Sequence, residues 1–179
     1  MIVETTRFGS ISVVEEDILT FSEGMLGFSK IDSYVLVERM DESLFLWLQA
    51  VKKPSVAFPL LEPQILDRGY KVELEDEDRK SLKLGNDLSG AKVFCIITIP
   101  TDPTKMTANL KAPIVINLKK RIAKQVILHS QDYPIRKAIF SDLQQHCATH
   151  QRTIFPTTET TAYQAIHLSD EMKMILKEV

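Results

Sequence analysis

Before Tyr133 the chain alternates apolar and polar positions with a period of two. In YKVELE, Tyr70, Val72 and Leu74 fall on one side and Lys71, Glu73 and Glu75 on the other, as in a strand with one solvated face. The same spacing predicts strands over residues 10–14 and 34–39. Three runs, LFLWLQAV from Leu44, SVAFPLL from Ser55 and KVFCIITI from Lys92, are apolar on both faces and rich in β-branched and aromatic residues. Such runs suit strands covered on both sides. Residues 112–118 and 122–129 read as two more strands, and the Lys119-Lys120-Arg121 turn between them makes a hairpin.

The preceding segment, PTDPTKMTANLKAP, contains Pro100, Pro103 and Pro113. It is expected to be an ordered loop, because each proline removes a ladder donor. Helix is scarce in this part. EDEDRKSLKLG, residues 75–85, predicts one short helix with acidic residues in its first turn, Lys80 and Lys83 near its end and Gly85 as its cap. Many short strands with little helix place residues 1–136 in a mostly β class, as a small antiparallel β-barrel-like domain.

From Lys137 the pattern changes to a C-terminal helical extension, residues 137–179, with one or two helices. KAIFSDLQQHCATHQ carries Ile139, Leu143 and Cys147 at four-residue spacing, and RTIFPTTETTAYQ reads as a polar connector. The last helix has Ser169 as N-cap, Asp170 and Glu171 in its first turn, and a one-sided stripe of Leu168, Met172, Ile175, Leu176 and Val179. That stripe either packs on the barrel or docks in a partner groove.

Composition narrows the function classes. With 179 residues and 44% hydrophobic content the chain supports one real core, and a net charge of −2 lacks the basic excess of a phosphate-backbone binder. No direct nucleic-acid partner is expected. The N-terminus lacks the apolar core of a signal peptide, and no stretch approaches the roughly 18 apolar residues that span a bilayer. With only Cys95 and Cys147, a disulfide framework is not expected. These features favour the cytoplasm and no membrane partner.

Motifs for chemistry are sparse. There is no GxxxxGK[ST], GxGxxG after a strand, CxxC or HExxH, and EGMLGF at residues 23–28 reads as a tight turn. His146 and His150 stand one helical turn apart, with Cys147 beside them and Asp142 a turn earlier. That face is either solvated or the seed of a metal or thiol site. Cys95, inside VFCIITI, reads as a core cysteine. Glu73, Glu75, Asp76, Glu77 and Asp78 form a dense acidic run, read as a solvated face. Lys105, Lys111, Lys119, Lys120, Arg121 and Lys124 offer a basic edge, which could serve direct RNA binding but has no interleaved aromatics.

TRFGSISVVEEDILTFSEGMLGF, then FLWLQAVKKPSVAFPLLEP, then MTANLKAPIVIN, KQVIL and DYPIR occur in unbroken order over residues 1–136. This combination resembles the bacterial flagellar assembly factor FliW family. Ser22 stands where that family usually has proline before the Glu-Gly, and the extension from Lys137 is longer than is typical. The resemblance implies a small β-barrel without catalysis or cofactor that binds the translational repressor CsrA and keeps it from silencing flagellin messenger RNA. It also implies binding of newly made flagellin near its C-terminal helical region, in competition with CsrA. The acidic run at 73–78 would then stand near the RNA-binding surface of CsrA. Thr107, Asn109, Lys111 and Pro113 either contact a partner or shape the chain locally.

Overall fold

The computed structural model describes residues 1–39, 44–86, 88–150, 154 and 163–167. Strands β1 (Ile2–Thr5) and β2 (Gly9–Ser12) form an antiparallel hairpin. β3 (Leu19–Thr20), β4 (Ser33–Arg39), β5 (Leu46–Ala50) and β6 (Ala57–Leu61) precede helix α1 (Asp76–Leu82). β7 (Ala91–Thr98), β8 (Thr107–Asn117), β9 (Ile122–Gln125) and β10 (Lys137–Ala138) follow, then helix α2 (Phe140–His150) and β11 (Tyr163–Ala165). β3 to β9 close a 7-strand barrel. Neighbours pair antiparallel from β3 round to β9, and the seam closes by a parallel contact of Thr20 with Ile122.

The wall residues alternate between separate cores, which explains the runs that are apolar on both faces. Tyr34, Leu36, Leu60, Phe94, Ile114 and Ile116 fill the barrel interior. Their chain neighbours Leu61, Cys95 and Val115 point outward into a second core with Leu82 of α1 and Leu143 and Cys147 of α2. Val35 and Val37 enter a third, beneath the β1–β2 hairpin with Val3, Ile11 and Val13. Ile139, Leu143 and Cys147 are buried together, as their four-residue spacing predicted. EGMLGF is a tight turn: Gly24 and Gly27 have φ +68° and +81°, and Met25 bridges Phe28.

Residues 70–75 are not a strand. Tyr70 and Leu74 are buried while Lys71, Glu73 and Glu75 are exposed, so the alternation is real. Among the described residues, however, the main chain of Val72, Glu73 and Leu74 pairs with no neighbour. The segment is held instead by Tyr70, whose hydroxyl donates to the Leu110 carbonyl at 2.7 Å and whose ring lies 4.4 Å from Tyr133. Period two reports alternating burial here without a ladder.

Thr107 to Pro113 are strand, where a loop was expected. β8 pairs with β7 on both sides of a bulge: Phe94 faces Ile114 and Ile96 faces Asn109, so residues 110–113 bow outward. The donors of the bow are all placed. Leu110 N–H donates to Pro134 O, and the Lys111 and Ala112 N–H groups donate to Asn109 Oδ1 at 3.1 and 3.0 Å. Pro113 has no N–H to place. The proline sits where the ladder lacks a place for a donor, so it does not break the strand.

Three smaller differences have tertiary causes. β9 ends at Gln125, although the Val126 and Leu128 amides still reach Pro113 O and Lys111 O along the bow. Lys83, not Gly85, takes the left-handed position ending α1, with φ 52°. Asn117 of β8 holds that end by donating to Leu82 O and Lys83 O, supplying from the barrel what glycine would supply locally. Tyr163 and Gln164, placed in the polar connector, form with Ala165 a strand on β4. The expected helix over 168–179 and, Ile154 apart, the rest of the Thr-rich connector lie outside the described residues.

Candidate partner-binding surface

The acidic run divides where the extended segment becomes α1. Asp76, Glu77 and Asp78 occupy the first helical turn, where carboxylates complement the unsatisfied N–H groups and the positive end of the dipole. Asp78 turns toward the barrel and meets Lys124 Nζ at 3.1 Å; Lys124 also meets Glu23 at 2.7 Å. Burial disfavours the Lys124 charge, but the bonds to Glu23 and Asp78 outweigh it and hold its ammonium above the ordinary lysine range. Glu75 meets His129 Nε2 at 2.9 Å. Among the described residues, Glu73, Asp76 and Glu77 form no ion pair and are exposed. No side-chain cation among the described residues balances their charge.

A cleft of about 450 Å³ lies beside this run, between residues 71–75 and 128–133. Glu73, Glu75 and Asp132 line it against Lys71 and His129. Its far wall is fixed by Tyr133, whose hydroxyl accepts the Lys71 N–H at 2.9 Å, and by Lys111, whose ammonium donates to Ser130 O at 2.6 Å. Lys111 is thus the member of the second candidate set that adjoins the acidic one. Asn109 spends its side-chain oxygen on the bow of β8. Pro113 is buried and accepts Val126 N–H, and Thr107 stands at the far end of β8 between Thr98 and Ala138. Sequence reasoning missed His129, Asp132 and Tyr133; an isolated Asp-Tyr-Pro gave no sign that it would meet residues 70–75.

The basic residues do not gather into an edge. Lys105 pairs with Asp102, Lys111 turns to Ser130 and Lys124 is enclosed by Glu23 and Asp78. The His-Cys-His trio is also divided. Cys147 is buried in the outer core, while His146 and His150 stack at 4.1 Å on a face with Gln64 and Arg68. His150 Nδ1 is engaged with His146 O at 2.9 Å, and Asp142 accepts Lys137 at 2.6 Å. Among the described residues no three metal-ligating side chains converge. Cys95 is buried, donates to Leu61 O and has its thiol pushed up to about 12 by burial, which makes it a poor nucleophile. The metal or thiol alternative therefore lacks a site among these residues.

Comparison with known proteins bears on the whole barrel. A family profile described as FliW protein matches residues 2–139. The flagellar assembly factor FliW of Bdellovibrio bacteriovorus is 46% identical over 145 residues, covering 81% of this chain and 82% of that protein. The flagellar assembly factor FliW of Ruminiclostridium cellulolyticum is 42% identical over 146 residues, covering 81% and 98%. A crystal structure of the flagellar assembly factor FliW superposes with a TM-score of 0.72 at 34% identity, covering 78% of this chain and 97% of that one.

Proposed function

The chain belongs to the FliW family of flagellar assembly factors, and from that premise we propose that it is a non-enzymatic cytoplasmic regulator that binds CsrA and, in competition, flagellin. The single observation that carries this reading is the family match across residues 2–139. The surface is consistent with it. Glu73, Asp76 and Glu77 present exposed carboxylates without an ion pair among the described residues on one flank, beside a cleft with two further carboxylates, Glu75 and Asp132.

An RNA-binding repressor presents a basic surface, and charge complementarity speeds and orients such an encounter. Carboxylates held next to that surface raise the cost of bringing phosphates within the screening distance of about 8 Å at physiological salt. Binding then silences the repressor without occupying every RNA contact. Flagellin bound to the same chain releases CsrA; export of flagellin frees the chain to capture CsrA again. Binding is assigned to residues 1–136, with 137–179 as a C-terminal extension.

The test is calorimetric titration of the full chain with CsrA and with flagellin from one organism. Binding to both, with flagellin displacing CsrA, is the expected result. A folded sample that binds neither would refute the proposal.

A further inference from the structure

Residues 163–167 lie on the barrel as a strap. β3 covers only Ser33 and Tyr34 on one edge of β4. Farther along that edge β11 pairs antiparallel, with Ala165 opposite Val37, Gln164 opposite Glu38 and Tyr163 opposite Arg39, and the Ile166 amide donates to Leu36 O at 2.9 Å. The side chains fill formed positions. Tyr163 stands 4.7 Å from the Phe8 ring, Ala165 is buried beside Val35 and Val37, and Ile166 enters the barrel end near Leu36, Phe94 and Leu118. Gln164 donates to Glu38 at 2.8 Å, and His167 Nδ1 meets the buried Asp17 carboxylate at 2.7 Å.

The slot and its filler differ in origin. β4 and the barrel end lie within the family match, which stops at residue 139, before the strap. The Ruminiclostridium relative is matched over 98% of its length by 81% of this chain. An added segment therefore occupies an edge that belongs to the common barrel. An open strand edge pairs with extended polypeptide through main-chain bonds, while alternate side-chain pockets choose the sequence.

We propose that the outer edge of β4 and the adjoining barrel end form a strand-addition site for an extended segment of a partner protein, and that residues 163–167 are its in-chain competitor. The partner segment runs antiparallel to β4 and carries an aromatic residue first, a small residue third and a branched apolar residue fourth, as Tyr163, Ala165 and Ile166 do. The site is separate from the acidic surface and does not depend on the identity of the partners above. Being tethered, the strap competes at an effective concentration on the order of mM, so a free segment at about 1 μM displaces it only if it binds far more tightly or the strap is weakened.

The test uses a fluorescent peptide with the sequence of residues 161–168, titrated into the full chain and into its Tyr163→Asp/Ile166→Asp variant. The expected result is at least tenfold tighter binding to the variant. Equal affinity for both, or no binding by a variant that keeps the cooperative melting of the barrel, overturns the proposal. Hydrogen exchange in the unmodified chain gives an independent check should the variant not fold. The Ile166 amide is expected to exchange by local opening, well before the β4–β5 ladder; exchange only through global unfolding also overturns it.

Discussion

Asn109→Ala separates scaffold from contact in the TANLKAP segment. The Asn109 carboxamide oxygen accepts the Lys111 and Ala112 amides, and Ala112 is buried. Each such bond contributes about 0.5–1.5 kcal/mol net, and a stranded buried donor costs about 1–3 kcal/mol. The bow of β8 cannot offer those donors to β7, because the register jumps from Asn109 to Ile114. Truncation should therefore cost about 2–3 kcal/mol. For a chain of this size that is a fall in melting temperature of about 4–12 °C. Asn109→Asp keeps an acceptor in the same place and should recover most of the loss. The assay is thermal and denaturant unfolding of the three proteins, with CsrA and flagellin titrations on the folded fraction. If Asn109→Ala loses binding at unchanged stability, or the Asp variant is as unstable as the Ala variant, the scaffold argument is wrong.

Replacing Glu73, Asp76 and Glu77 together by Lys should lower the melting temperature by a few degrees, because Asp76 and Glu77 stand in the first turn of α1, where losing each carboxylate costs about 0.3–1 kcal/mol, and should weaken CsrA binding about tenfold or more at low salt; unchanged binding by the folded variant removes this flank from the interface. Gly24→Ala places a Cβ 2.6 Å from Ser29 Cα at φ +68°, so it should cost the left-handed penalty of about 1–2 kcal/mol plus overpacking of about 1–3 kcal/mol. Gly27→Ala, with open space at φ +81°, should cost only the first, and denaturant midpoints that rank the two alike would contradict the geometry. Stability should fall as pH rises above about 9: burial pushes the Cys95 thiol up to about 12, burial and the Asp32 charge push the Tyr34 phenol up to about 12, and burial raises Tyr70 further. In that range the unfolded chain loses protons that the folded chain keeps, so deprotonation favours unfolding. Unfolding midpoints that are flat from pH 8 to 11 would show that these groups titrate normally.

What could be read from the chain alone was whatever depends on near neighbours. Period-two burial, the acid-led start of α1, the turn at EGMLGF and the Ile139, Leu143 and Cys147 spacing are local consequences of backbone geometry, and each is found in the fold. The family was legible too, because its motifs are contiguous. Tertiary structure decided whatever needs a distant partner. Main-chain pairing was denied to residues 72–74 and granted to Thr107–Asn117, since a ladder depends on which backbone lies alongside. Asn117 let Lys83 end a helix, Lys124 drew Asp78 out of the acidic run, and Tyr133 and His129 came to residues 71–75 across the chain. The strap on β4 belongs to the same class. A run as short as Tyr163–Ala165 carries little signal for a strand, and it was the open edge beyond β3 that made it one.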